Sequence, residues 1–230
     1  MRIVEVKLAF GLETKSETKA MQKSFKEALL DAWDAMIPMV GLNLIWLVMT
    51  VLVVTAFPAA GGLYYATNRI AHGKSAGIGT FFDGFKQYFW ISWKWGLLNL
   101  LAYFLLVTNI WFYGQFEGTG FFILQSLFFS LTIIYTCTAF YIFPFLLEQE
   151  SPVLKVALRN SFLVFLRFLG RSFLFFLLLV ALAVISVFIP PFWFLITVSL
   201  MAYIANWQTL WVIRELRLDD QEKKLEPSDT

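Results

Sequence analysis

Charged side chains are missing from four long stretches of this 230-residue sequence: residues 35–68, 95–116, 118–147 and 172–213. Only 15% of all residues are charged, whereas soluble domains have about 25%. A helix needs about 20 apolar residues to cross a bilayer. The first three stretches therefore have room for one crossing each, and the last, with Pro190 and Pro191 at its middle, has room for two. The pattern excludes a soluble domain and predicts an all-α, polytopic membrane bundle of about five transmembrane helices.

Residues that carry chemistry are equally scarce. The sequence has one cysteine, Cys137, which excludes an intramolecular disulfide and predicts a small core residue. The single histidine, His72, lies in a polar turn and is interpreted as solvated. No pair of carboxylates lies inside a predicted membrane span, and no phosphate-binding loop is present. We therefore expect no enzyme, no cofactor and no metal site; the net charge of +2, without a dense basic stripe, argues against nucleic acid.

The apolar stretches divide the chain into a transmembrane domain, 36–213, between a polar N-terminal extension, 1–35, and a polar tail, 214–230. Predicted spans are 37–57, 89–112, 121–145, 168–189 and 192–213. Residues 21–36 have the apolar spacing of an amphipathic helix, which lies on the membrane surface or packs on the protein itself. Amphipathic interfacial elbows are expected near Phe85-Lys86 and Leu158-Arg159.

The distribution of basic residues predicts an orientation. Cytoplasmic loops are enriched in Lys and Arg, and the two short turns, 114–120 and 190–191, contain neither. The long loops and the C-terminus are therefore expected in the cytoplasm. Five crossings then leave the N-terminal extension outside despite its six basic residues. We prefer five crossings; a re-entrant hairpin over 35–68 is the alternative, and the side of the N-terminus stays open. The basic residues of the long loops are Arg69, Lys74, Lys86, Lys94, Lys155, Arg159, Arg167 and Arg171.

Uncharged polar and aromatic side chains recur along single faces of the predicted spans, and in lipid such groups must find partners inside the bundle. One interpretation is that they join helices; the other is that they line a path for an uncharged solute such as a sugar. The candidate lining residues are Asn43, Trp46, Thr50, Asn99, Tyr103, Gln125, Thr132, Thr136, Ser199, Tyr203 and Asn206.

A proline bend follows the first span. Pro58 ends or kinks the helix, and the small residues after it allow another helix to approach closely. Tyr64 and Tyr65 follow, with Arg69 four residues after Tyr65. We predict a packing role for the bend, with Arg69 either a plain cytoplasmic anchor or a cation–π partner of Tyr65.

Several of these motifs resemble one bacterial family. The residues are Asn43-Leu-Ile-Trp46, Pro58-Ala-Ala-Gly-Gly-Leu-Tyr64-Tyr65, Phe82 with Phe85-Lys86, and Phe143-Pro144-Phe145-Leu146. Together they resemble the YesL-like integral membrane proteins, a domain of unknown function, over about residues 30–215. The sequence departs at Ala60, where that family usually has threonine, and at Gly61-Gly62. The resemblance implies a bacterial plasma-membrane protein in a carbohydrate-uptake context.

Three functions are compatible with these observations. The first is an accessory or regulatory component linked to carbohydrate uptake, with transporter subunits as partners. The second is a small transporter or channel for a neutral solute, acting as a homo-oligomer. The third is a purely structural membrane scaffold. In each case the lipid bilayer is the principal environment.

Overall fold

The computed structural model describes the backbone of residues 36–225 and the side chains of residues 36–218. Within that part of the chain every regular element is helical, which confirms the all-α fold class. The helices are α1 Met36–Val51, α2 Ala56–Ala71, α3 Ile78–Gln87, α4 Phe89–Tyr113, α5 Thr119–Leu147, α6 Leu154–Arg167, α7 Leu169–Phe188 and α8 Val198–Leu225. The predicted amphipathic helix over 21–36 lies outside the described residues, apart from Met36.

Four helices are long and apolar enough to cross a membrane: α4, α5, α7 and the continuous helical segment Pro190–Leu218, which includes most of α8. Each begins within two residues of the corresponding predicted span. Helices α3 and α6 occupy the positions of the two predicted elbows and have separate apolar and polar faces. We call the side of the bundle at which α3 and α6 lie the loop end, and the side with the 114–118 turn the turn end.

The first predicted span, 37–57, is not one helix. Helix α1 stops at Val51, Leu52 adopts an extended conformation (φ −82°, ψ 99°), and a short 3₁₀ turn over Val53–Thr55 leads into α2. The physical reason is local. Val51, Val53, Val54 and Thr55 are β-branched and lose side-chain freedom in a helix, and the Thr55 hydroxyl bonds to the carbonyls of Met49 and Leu52 in place of helical partners.

The last span also begins with a break. Pro190–Phe192 form one turn, and Trp193–Thr197 form a wider π-helical turn before α8. A wide turn leaves backbone groups without their usual partners. Asn43 of α1 provides them: its amide donates to the carbonyls of Trp193 (3.1 Å) and Phe194 (2.7 Å), and its carbonyl accepts from the Ser199 backbone N–H (2.9 Å).

Helix α2 is the central element of the loop-end half of the bundle, because it packs on α1, α3, α4, α5 and α8. Small residues make that position possible. A Cβ added to Gly62 would lie 2.7 Å from the Phe81 carbonyl oxygen, and one added to Gly61 would overlap the Ser92 hydroxyl. Neighbouring helices therefore approach the α2 backbone itself, which glycine alone permits at these two positions.

Candidate functional site

A group of four polar side chains is buried where α2, α5 and α8 meet at the loop end. We call Asn68, His72, Glu148 and Asn206 the polar cluster. Asn68 is 6% exposed, Glu148 3% and Asn206 0%. Among the described residues, Glu148 is the acidic residue whose side chain is buried. The polar cluster is the strongest candidate for a functional site because buried charge is costly and is kept only when paired.

Glu148 is the centre of the polar cluster. Its Oε1 accepts a hydrogen bond from the Asn68 amide at 2.8 Å and lies 3.0 Å from Nε2 of His72. Asn68 and His72 are four residues apart at the end of α2, so both project from one helical face. Arg214 of α8 adds an attractive charge interaction with the Glu148 carboxylate. Glu148 thus joins the end of α5 to the end of α2 and to α8.

Asn206 connects the polar cluster to the backbone of α2. Its amide nitrogen donates to the Tyr64 carbonyl and to the Thr67 hydroxyl, both at 3.0 Å, and its oxygen accepts from Asn68 at 3.3 Å. These bonds link positions that are more than 130 residues apart in the sequence. They hold α8 against the loop-end half of α2.

Aromatic rings pack next to the polar cluster on its turn-end side. Tyr64 lies against Phe143 and Trp95, with ring centroids 5.2 and 6.0 Å away. Tyr65 packs on Tyr88 at 5.7 Å, and Gly84 gives it room. Burial raises the pKa of Tyr88, at the junction of α3 and α4, to about 12. Tyr64 borders the polar cluster, because its backbone carbonyl accepts a hydrogen bond from Asn206.

The bend predicted at Pro58 lies instead at Leu52–Thr55, just before α2, because residues 56–71, including Pro58, form one regular helix. Pro58 lies in the first turn of α2, where its missing N–H has no helical partner to lose. Tyr64 and Tyr65 pack as described above. Arg69 lies in the last turn of α2, with its Nε buried and without a hydrogen bond.

The predicted lining residues are distributed over separate helix pairs. Asn43 binds the wide turn before α8, and Asn206 binds α2. Between α4 and α5, Tyr135 donates to Asn99 at 3.0 Å and Tyr103 donates to Thr136 at 3.1 Å. A role for these side chains in binding a solute stays a prediction.

The remaining members of the set have mostly local partners. Thr50 and Thr132 bond to carbonyls one turn back in their own helices, and the Ser199 hydroxyl bonds to the Ile196 carbonyl. Trp46 and Tyr203 pack in the apolar core around α1, α2 and α8. Gln125 donates to the Ile110 carbonyl and lines an open cavity at the turn end, beside Tyr113 and Glu117.

Sequence reasoning missed the polar cluster. The prediction of a solvated His72 is wrong, because its side chain is only 10% exposed and its Nε2 lies 3.0 Å from Oε1 of Glu148. The partners are 76 residues apart, so no local pattern connects them. A usable signal existed in the helical spacing of Asn68 and His72 just after an apolar run, with Glu148 as the first charge after another run.

A second set of polar side chains lies nearby, between α5, α7 and α8, and sequence reasoning missed it as well. Tyr141 shares a hydrogen bond with Ser172 at 3.1 Å and accepts one from Gln208 at 3.4 Å. The Arg171 guanidinium lies over the ring of Trp211 and within 3.5 Å of Gln208. These contacts join three helices at the loop end, as the polar cluster does.

Comparison with known proteins gives one similarity. The model of a family described as "Protein of unknown function, DUF624" matches residues 39–110. The matched segment runs from α1 to the turn-end part of α4 and includes the bend, Asn68 and His72. No curated protein and no solved structure matches the chain.

Proposed function

We propose that this protein is a non-enzymatic, multi-pass protein of the bacterial plasma membrane that acts as an accessory or regulatory component of a carbohydrate-uptake system. Its long loops and C-terminus lie in the cytoplasm. Four helices that are long and apolar enough to cross a membrane support a multi-pass protein, and residues 39–110 are similar to a family of unknown function. The finer resemblance to the YesL-like family, with its motifs around Pro58 and Phe85, supports the link to carbohydrate uptake.

The observation that carries the proposal is how the polar groups of the spans are used. A pathway or binding site for a neutral solute needs several polar groups that converge on one cavity. Asn43, Asn99, Tyr103 and Asn206 instead bond across three different helix contacts. Interhelical bonds of this kind are worth about 0.6 to 2 kcal/mol each and stabilise a bundle. This arrangement favours an accessory protein over a transporter.

The loop end is the part of the molecule best suited to regulation. Its polar cluster ties the ends of α2 and α5 to each other and to α8 through Glu148. A partner subunit that contacts this end acts on three helices at once. Buried polar networks have few alternative arrangements, because each unpaired group costs about 1–3 kcal/mol.

The test separates an accessory role from transport. Uptake of labelled neutral sugars is measured in cells that lack the gene and in cells that carry it, and also in proteoliposomes that contain the purified protein alone. We expect reduced uptake in the deletion strain and no uptake by the proteoliposomes. Saturable uptake by the purified protein would replace the proposal with the transporter. Unchanged uptake in the deletion strain would leave a structural scaffold.

A matched pair of variants ties the function to the polar cluster. Glu148→Gln keeps an oxygen acceptor but removes the charge, whereas Glu150→Gln makes the same change at an exposed position two residues away. Both are returned to the deletion strain at equal membrane levels. We expect Glu148→Gln to restore less uptake than the wild type and Glu150→Gln to restore all of it. Equal restoration by the two variants would contradict a role for the polar cluster.

A further inference from the structure

Helices α1 and α2 form an antiparallel pair whose two open ends meet at the loop end. Helix α1 packs along α2 and also contacts α3, which lies at the loop end; Met39 belongs to the same buried apolar cluster as Ala59, Ile70 and Phe81. His72, directly after α2, contacts Glu148 at the loop end of α5. The chain therefore enters this pair and leaves it at the same end of the bundle.

Neither helix of the pair is long enough to cross a bilayer. Each has 16 residues, which is about 24 Å at 1.5 Å per residue. The hydrocarbon core is about 30 Å thick and needs about 20 residues. The neighbouring helices α4 and α5, with 25 and 29 residues, meet that requirement.

The tip between the two helices, residues 51–54, exposes apolar side chains and therefore suits lipid rather than water. Val51, Leu52, Val53 and Val54 are 61–79% exposed, and no charged residue occurs between 35 and 68. The turn between α4 and α5 differs, because it carries Gln115 and Glu117.

Non-helical backbone within a bilayer needs internal hydrogen-bond partners. The Thr55 hydroxyl provides one donor at the tip, whose hydrogen is shared between the carbonyls of Met49 and Leu52. The Thr55 N–H also donates to the Leu52 carbonyl at 2.8 Å. The break between α1 and α2 is therefore compatible with a lipid environment.

We propose that residues 36–71 form a re-entrant helical hairpin, which enters the bilayer from the loop end, buries its Val51–Val54 tip in the hydrocarbon and returns to the same side. The protein then has four crossings, α4, α5, α7 and Pro190–Leu218. This inference is independent of the proposed function.

The hairpin also removes the conflict in the charge distribution. With five crossings, the six Lys and Arg residues of the N-terminal extension are on the opposite side from the long loops. With four crossings and a hairpin, the extension joins the long loops and the C-terminus. All basic segments are then on one side, as the positive-inside rule requires.

The side of each segment is tested with single-cysteine variants in whole cells. Cys137, the one native cysteine, is first replaced by serine. Ser24→Cys reports the N-terminal extension, Ser75→Cys the loop after α2, and Gln115→Cys the turn end. A membrane-impermeant maleimide is applied to intact spheroplasts and to broken membranes. We expect Ser24→Cys and Ser75→Cys to react only in broken membranes and Gln115→Cys to react in both. Labelling of Ser24→Cys together with Gln115→Cys in intact spheroplasts would overturn the hairpin.

The depth of the tip is tested with Val53→Cys, a substitution at a position that is 79% exposed and so leaves the packing intact. We expect no reaction with the impermeant reagent in intact or broken membranes, and full reaction after solubilisation in SDS. Reaction from the turn-end side would show that the tip reaches water there, which would replace the re-entrant hairpin with two crossings. Gln115→Cys serves as the accessible control.

Discussion

The side-chain amide of Asn68 donates a 2.8 Å hydrogen bond to the carboxylate of Glu148, 80 residues further along the chain. This contact holds the end of α2 against the end of α5, and Asn206 extends it to α8. The polar cluster has the character of a structural joint, because it connects three elements through groups that are costly to leave unpaired. Its energetic role can be measured directly.

Removal of the Glu148 side chain is expected to destabilise the protein strongly. Glu148→Ala leaves the Asn68 amide and His72 without their shared acceptor and Arg214 without its attractive charge. Loss of one partner from a buried charged pair costs about 3–5 kcal/mol. The free energy of unfolding, measured by SDS titration in mixed micelles, should fall by about that amount. Glu150→Ala, at an exposed neighbouring position, should change it by less than about 0.5 kcal/mol; similar losses in both variants would contradict the joint.

Asn43 is expected to stabilise the wide turn before α8. Asn43→Ala removes three hydrogen bonds, to the carbonyls of Trp193 and Phe194 and from the N–H of Ser199. We expect a loss of about 2–6 kcal/mol in unfolding free energy, since each of the three bonds contributes about 0.6 to 2 kcal/mol. The matched control is Asn109→Ala, whose side chain bonds only to the Leu105 carbonyl one turn back. An equal effect of the two substitutions would rule out the capping role.

Close helix packing at the α2 glycines predicts opposite effects for the same substitution at different sites. Gly62→Ala places a methyl group 2.7 Å from the Phe81 carbonyl oxygen and should cost about 1–3 kcal/mol. Gly41→Ala in α1 has nothing within 4 Å of the new methyl and should be neutral or stabilising, by up to about 1 kcal/mol. Thermal stability in detergent compares the two. The packing argument fails if Gly41→Ala is the more damaging change.

The burial of Tyr88 predicts that the folded protein loses stability at high pH. Its pKa in the folded protein is about 12, above the ordinary value of 10.0, because burial disfavours the phenolate. Folding therefore favours the protonated phenol; the stability contribution is complete below pH 10 and declines as the pH rises through 10 towards 12. Tyr88→Phe should show a smaller decline over this range than the wild type. The measurement is detergent thermal stability at stepped pH, and identical slopes would contradict the burial argument.

The general character of the fold could be predicted from the sequence because it depends on periodicity and length. Charge-free stretches of more than 20 residues leave helices as the structure that satisfies every backbone group within one segment. The positions of α4, α5 and α7 follow from that requirement alone. The elbows α3 and α6 follow from their amphipathic spacing, which is also a local property.

The polar cluster could not be predicted in the same way. His72 follows a helix and precedes a glycine turn, and nothing within several residues indicates that a carboxylate 76 positions away covers it. The break after Val51 has a local cause in its β-branched residues, yet the sequence was equally compatible with a continuous span through 37–57. Whether the chain breaks after Val51 or continues as one helix depends on whether α1 packs back on α2, which is a tertiary contact.

The sequence by itself determined that this protein is a bundle of apolar helices with amphipathic elbows, because hydropathy and helical periodicity are properties of neighbouring residues. Only the tertiary structure decided that α1 and α2 fold as a hairpin and that Asn68, His72, Glu148 and Asn206 meet. Those features depend on glycines that let helix backbones approach and on polar groups that find partners across more than 70 residues. The energy of burying a polar group sets the need for a partner, and three-dimensional packing selects which residue meets it.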